Sequence, residues 1–282
     1  MAAPPNRCAV SADVEQVIQW YPGHMAAAMR KIEENMKLID VVIEVVDARV
    51  PLSGSNPMLD QVAGKRARLL VLTREDLADP VSTVKWLTKL NATQRRAVAV
   101  NAKDQTSVGK ANFHLGQLTS GTSRSQRAIV VGLPNSGKSS VINGLLRRSA
   151  AQTEDRPGVT RATQWFRVQP MLELMDTPGI LVPKIDAPDA QWKLAITGAI
   201  PRERFDPEDV VGRFHKWLVE KTHRRTRVPD LQSYATARGF LKKGAETDLH
   251  NAAQSYIRDF NDGKFGRITL EDPPDDGNGK KA

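Results

Sequence analysis

Three short runs, VVIEVVDA (41–48), ARLLVLT (67–73) and RAVAVNA (96–102), are almost unbroken apolar and rich in β-branched residues. Runs of this kind predict strands buried on both faces in a parallel sheet. Segments with helical spacing separate them, such as DPVSTVKWLTKL (79–90). RAIVVGL (127–133) repeats the strand pattern and runs into KSSVINGLLRRS (138–149), which reads as a helix. TQWFRVQ (163–169) and MLELMDT (171–177) predict a strand pair. The alternation predicts an α/β fold, a parallel-rich sheet with helices on both faces. Beyond about Asp186 the strand signal fades, and 189–200, 207–222, 229–243 and 246–262 predict helices. EDPPDDGNGKKA (271–282) has too few apolar residues to pack and predicts a disordered tail. The expected division is a sheet domain over 19–185, a smaller all-helical domain over 186–270 and the tail over 271–282.

Charge changes this picture first. The chain of 282 residues carries a formal net charge of +9, which favours a polyanionic partner such as RNA, although a basic protein with no such partner is equally simple. The single cysteine, Cys8, has no internal partner for a disulfide, which suits a reducing compartment. No run approaches the roughly 18 apolar residues of a membrane span. The first 18 residues show neither a secretory signal nor a complete transit peptide. The expectation is a cytoplasmic monomer with no membrane partner. Plastid stroma or mitochondrial matrix is the alternative if a transit peptide is missing.

The chemistry concentrates at GLPNSGKSS (132–140). Gly132, Gly137, Lys138 and Ser139 satisfy G-x-x-x-x-G-K-[ST], between a predicted strand and a predicted helix. Glycines there let the N–H groups from Asn135 to Ser140, Ser136 included, curl round phosphates. Lys138 reaches the outer phosphates, and the Ser139 hydroxyl ligates Mg2+. DTPG (176–179) ends the strand MLELM: Asp176 can hold Mg2+ through water, and the Gly179 N–H can touch a γ-phosphate. In RPGVT (156–160), Thr160 is the candidate switch threonine on the metal, with an ordinary loop threonine as the plain alternative.

A guanine-reading element, Asn/Thr-Lys-x-Asp at a strand end followed by a Ser-Ala-Lys-like turn, is absent after this loop but present before it. LVLTREDL (70–77) puts Thr73, Arg74 and Asp76 at one strand end, and VNAKD (100–104) puts Asn101, Ala102 and Lys103 at the next. The base-reading half precedes the phosphate half, so the chain reads as a circularly permuted P-loop GTPase domain.

With its motifs in this order the chain resembles the YlqF/RbgA family of circularly permuted GTPases that assemble the large ribosomal subunit. QWYPGHM (19–25), DARVPLSGSNP (47–57), RPGVT and DTPGIL carry the resemblance further, and KFGRITLEDPP (264–274) is similar to the cyanobacterial and plastid branch. The resemblance implies GTP hydrolysis with Mg2+, slow until stimulated by ribosomal particles. It also implies a large-subunit precursor and rRNA as partners, the rRNA held by the helical domain. The family usually has Asn-Lys where this chain has Thr73-Arg74. Thr73 still offers a polar contact, Arg74 can lay its planar group over the base, and the Asp76 carboxylate can accept from the guanine N1–H and 2-amino groups. DARVPLSGSNP is assigned no chemistry beyond a loop at a strand end.

Ile180 follows DTPG, where many GTPases carry a water-orienting glutamine. In an unpermuted domain the segment after D-x-x-G feeds a helix leading to the next strand. Here the helix before VVIEVVDA begins at His24, so His24 should lie near the γ-phosphate. The resemblance implies that it orients the attacking water, the alternative being a local cap. In related GTPases an asparagine at the place of Asn135 accompanies K+, and a turn residue is the alternative reading. GRFHKWLVEKTHRRTR (212–227) is the basic stretch offered to rRNA, counting Arg213, Lys216, Lys221, Arg224, Arg225 and Arg227 against Glu220. A nucleotide-driven kinase and a nucleotide-binding module with little turnover stay open as competing functions.

Overall fold

The structure is a computed structural model that describes residues 34, 36–56, 58–93, 96–152, 165–176, 188–222, 227–242 and 246–274. Within these, six strands form one sheet in the order β3-β2-β1-β4-β6-β5. They are β1 (Val41–Asp47), β2 (Ala67–Thr73), β3 (Arg96–Val100), β4 (Gln126–Val131), β5 (Trp165–Gln169) and β6 (Leu172–Asp176). Neighbours from β3 to β6 pair parallel, and β5 closes the edge antiparallel to β6 as a hairpin, matching the expected strand pair.

The unbroken apolar runs are explained by burial on both faces. Val41, Ile43 and Val45 of β1 share one core with Val108 and Leu115 of α3 (Gln105–Thr119) and Leu145 of α4 (Lys138–Gln152). Alternate residues point the other way. Val42 packs with Met36, Leu59 and Met175, and α1 (Met58–Ala63) covers this side. Val46 packs with Leu70, Leu72 and Trp86 of α2 (Pro80–Ala92). Glu44, buried in the middle of β1, accepts hydrogen bonds from Ser55 Oγ at 2.6 Å, the Asn56 N–H at 3.1 Å and Arg68 Nη2 at 3.1 Å. Burying a carboxylate this way is tolerable because its lone pairs are met.

The C-terminal helices are α5 (Pro188–Ile196), α6 (Pro207–Lys221), α7 (Leu231–Ala237) and α8 (Leu249–Asn261). Asp206, Asp230 and Asp248 cap the last three, each accepting a backbone N–H of the first turn. Phe214, fully buried, centres their core against Phe260 (ring centroids 5.1 Å apart, edge-on) and Tyr256. Val50 and Leu133, from loops of the sheet unit, lie in this same core.

Two expectations are corrected. The helix expected over 229–243 stops at Ala237, and an isolated bridge pairs Leu241 with Thr247 beyond it. The chain turns at Gly239, whose φ is +68°, a conformation that glycine adopts without strain. The expected disordered tail does not begin at residue 271. Glu271 is buried, its carboxylate accepts the Leu52 N–H at 2.7 Å, and its carbonyl accepts from Trp86 Nε1 at 3.0 Å. Residues 267–270 also run back over the sheet unit, with Ile268 N bonded to the Leu77 carbonyl and Leu270 N to that of Arg49. Among the described residues no helix is long and apolar enough to cross a membrane.

Candidate nucleotide site

Because β1 to β4 run parallel, their C-terminal ends meet at one edge of the sheet. From β1 the chain proceeds to β2 on one side, and from β4 it proceeds to the β5–β6 hairpin on the other. The crevice between β1 and β4 is therefore a topological switch point, where open α/β sheets bind ligands.

The loop after β4 is built for close backbone approach. Gly132 has φ +156°, and a Cβ there would stand 2.2 Å from the Val45 carbonyl oxygen, so no other residue fits. Asn135 turns the loop with φ 56°. The Ser136 N–H bonds the Leu133 carbonyl at 3.3 Å, and Lys138 Nζ, nearly buried, donates to the same carbonyl at 2.8 Å. α4 starts at Lys138, so its free N–H groups and positive dipole end face the loop. Ser139 and Ser140 stand exposed in its first turn. A hydroxyl there, at the end of a phosphate loop, suits a hard divalent cation such as Mg2+, which takes oxygen ligands.

The residues expected to read the base meet this loop directly. Thr73 Oγ1, at the end of β2, donates to the Ser136 carbonyl at 2.6 Å, with the Val46 carbonyl 3.2 Å away. Asp76 lies exposed in the following turn. Beside it, the Lys103 N–H bonds Asn101 Oδ1 at 3.0 Å, shaping the turn with Ala102, and the Glu75 N–H reaches the Val100 carbonyl at 3.3 Å. Two segments far apart in sequence thus form one cradle.

Arg74 differs from expectation. Its guanidinium donates to the Asn135 carbonyl at 3.0 Å, Asp47 Oδ2 at 3.1 Å and the Thr197 carbonyl at 3.3 Å, instead of standing open for a base. The pull comes from Asp47, which sequence reasoning left without a role. Asp47 binds Arg49 through both oxygens, at 3.0 Å and 2.8 Å. Arg49 is 1% exposed, lies over the Phe260 ring at 4.9 Å and donates to Asn261 Oδ1 at 2.9 Å. Burial alone would raise the Asp47 carboxyl, but the Arg49 and Arg74 guanidinium groups hold it below its ordinary value. Burial pulls Arg74 down, with Asp47 opposing. The signal was present as D-x-R at a strand end in DARVP, but only the fold shows that the pair faces α8.

Asn135 Nδ2 donates to the Gly198 carbonyl at 2.8 Å, so the loop touches the helical unit too. A cleft of about 440 Å³ opens there, lined by Arg74, Asn135, Thr197, Arg202, Arg258 and Asn261 among others. The basic stretch is weaker than its sequence count. Arg213 pairs with Asp209 at 2.9 Å and Lys221 with Asp272, two acids outside the counted window. Arg227 is exposed, while Arg224 and Arg225 lie outside the described residues, as do His24, Thr160 and Gly179. Asp176 ends β6, parallel to β4, and its side chain is likewise outside them.

Comparison with known proteins agrees with this geometry. A family model described as 50S ribosome-binding GTPase matches residues 127–204. Ribosome biogenesis GTPase A of Bacillus cereus is 36% identical, with the match covering 93% of this chain and 96% of that protein. Mitochondrial ribosome-associated GTPase 1 of Mus musculus is 31% identical, over 90% of each. The crystal structure of GNP-bound YlqF from T. maritima superposes with a TM-score of 0.70 at 27% identity, covering 88% of this chain and 99% of that one. The sheet, its inverted order of motifs and these matches agree: the chain belongs to the ribosome biogenesis GTPase A (YlqF/RbgA) family of circularly permuted GTPases.

Proposed function

We propose that this chain binds GTP with Mg2+ in the crevice between β1 and β4, hydrolyses it, and serves as an assembly factor on the precursor of the large ribosomal subunit. The observation that carries the reading is the 2.6 Å bond from Thr73 Oγ1 to the Ser136 carbonyl. It joins the base-reading turn to the phosphate loop, although the chain presents them in inverted order. The relatives named for ribosome biogenesis and ribosome association support the particle as partner. Its work then lies where large subunits are assembled, in a bacterial cytoplasm or inside an organelle.

In this mechanism Lys138 and the loop N–H groups from Asn135 to Ser140 hold the outer phosphates. The Ser139 hydroxyl, Thr160 and Asp176 would hold Mg2+, which would supply positive charge to offset that on the phosphate oxygens. Asp76 accepts from the guanine N1–H and 2-amino groups, and the turn Asn101, Ala102 and Lys103 closes beside the base. The Gly179 N–H senses the γ-phosphate. Ile180 can neither donate nor accept a hydrogen bond, so His24 orients the attacking water with a neutral imidazole. The Asn135 amide oxygen would hold K+, which would supply further positive charge. Arg224, Arg225 and Arg227 supply positive charge for rRNA phosphates.

One GTP-turnover assay tests these roles together. Wild-type turnover should rise on adding large subunits. His24→Ala should lose that rise by roughly 10²-fold or more, the usual contribution of a positioned proton-handling group, with GTP affinity unchanged. Lost affinity would give His24 a structural role instead, and equal rates in potassium and sodium salts would remove the K+ ion.

A further inference from the structure

After α8 the chain turns back and lies along the turn that carries Asp76. Gly263, with φ +77°, packs so closely that a Cβ there would stand 2.7 Å from Leu77 Cδ2. Arg267 Nε donates to the Ala78 carbonyl at 2.8 Å, and its Nη2 to the Glu75 carbonyl at 2.8 Å. The Ile268 N–H donates to the Leu77 carbonyl at 2.9 Å, and Thr269 Oγ1 accepts the Asp79 N–H at 3.0 Å. One short segment thus holds the backbone of Glu75, Leu77, Ala78 and Asp79. Asp76, the single residue of that turn left exposed, sits in the middle of the clamp.

A surface turn has no core of its own to fix it. The carboxylate of Asp76 can meet two donors on one base edge only if its backbone is held, and a displacement of about 1 Å removes much of such an interaction. On the other side the turn is tied to β3 by the Glu75 N–H bond to Val100, while the Glu75 side chain lies 3.3 Å from Ser107 Oγ and Lys110 Nζ. The segment 267–269 supplies the opposing side. Arg267 suits this task because its planar fork spans two carbonyls at once.

We infer that Arg267 is a positioning residue for guanine recognition: through the backbone of residues 75–79 it sets the place of the Asp76 carboxylate. The inference rests on Asp76 reading the base, as proposed above, and it assigns the C-terminal segment a share in nucleotide selectivity.

The test compares the affinities of GDP, IDP and ADP for the full chain and its variants. IDP differs from GDP only in lacking the 2-amino group, so the GDP-to-IDP ratio reports on the Asp76 contact and on little else. Arg267→Ala should weaken GDP by roughly tenfold, the equivalent of one charge-assisted hydrogen bond. IDP should weaken less, so that the ratio contracts, and ADP should not change. Arg267→Lys, which keeps the charge but not the fork, should restore part of the ratio. If Arg267→Ala lowers the melting temperature too far for use, Thr269→Val loosens the same turn from the Asp79 side and should contract the ratio likewise. Equal weakening of all three nucleotides, or none, overturns the inference, because a general structural role would not discriminate between bases. Asp76→Ala serves as reference. If it collapses the ratio and Arg267→Ala does not, the clamp is wrong and the base reading stands. If Asp76→Ala leaves the ratio intact, the base reading falls, and this inference with it.

Discussion

Lys138→Ala is expected to lower GTP turnover by roughly 10²–10³-fold, the usual loss when one preorganised charge is removed from a phosphate site. GTP affinity should fall by about tenfold or more, because the bond lost is charge-assisted. The ammonium is already seated inside the loop, 2.8 Å from the Leu133 carbonyl and 7% exposed, so little reorganisation precedes its use. The loop itself should survive. Its shape is set by Gly132 against Val45, by the Ser136 bond to Leu133 and by the Thr73 bond to Ser136, none of which needs the lysine side chain. The nucleotide-free variant should therefore melt no lower than the wild type, and a nearly buried cation is removed with it. Fluorescent-nucleotide titration and phosphate release measure the two losses. Turnover within threefold of wild type would show that this loop is not the site of hydrolysis.

Arg49→Ala is expected to destabilise the fold by roughly 3–5 kcal/mol, the range for breaking a buried ion pair by removing one partner. Asp47 would keep Arg74 at 3.1 Å but lose both close contacts, and Asn261 and Phe260 would lose the group that bridges the sheet unit to α8. A loss of this size lowers the melting temperature by on the order of 10 °C. Arg49→Lys should recover little, since an ammonium cannot span both Asp47 oxygens in one plane. The pH dependence follows from the depressed Asp47 carboxyl. A carboxyl whose native value lies below its unfolded one adds stability above the unfolded value, and that stability fades as pH falls through the native one. The stability gap between wild type and Arg49→Ala should thus be level near neutral pH and narrow on acidification, once the Asp47 carboxyl of the variant, buried with Arg74 as its remaining guanidinium partner, takes up a proton. Urea titrations across this range test it, and a gap that opens on acidification would contradict the pair.

The strands and the phosphate loop were legible because their signals are local. A run such as VVIEVVDA is buried on both faces whatever surrounds it, and G-x-x-x-x-G-K-S between strand and helix states its own geometry. The permuted order was legible for the same reason, since Thr73, Asp76 and Asn101 each mark a strand end. What escaped depends on partners distant in the chain. Arg49 meets Asn261 across 212 positions, and the Ser53 N–H meets Glu271 across 218. EDPP reads as tail composition, yet Glu271 is fixed by the Leu52 and Ser53 N–H groups, which composition cannot reveal. Charge counting failed likewise, because Asp272 reaches Lys221 from the far end of the chain. For Arg74, the sequence offered a planar cation to an expected base, and the fold supplies a buried carboxylate that claims it.

The phosphate loop touches the helical unit through Asn135 and Gly198, and through Arg74 and Thr197. These contacts give a physical route by which the nucleotide state can bias the surface offered to a particle, as switch elements held by phosphate contacts do elsewhere. On the proposed function, GTP should favour docking on the large-subunit precursor and hydrolysis should release it. Co-sedimentation with large ribosomal subunits tests it most directly, in GDP and in a non-hydrolysable GTP analogue at one fixed salt concentration. The pelleted fraction in the analogue should stand well above that in GDP, a contrast that Lys138→Ala should abolish. Equal pelleting in the two nucleotides would contradict it.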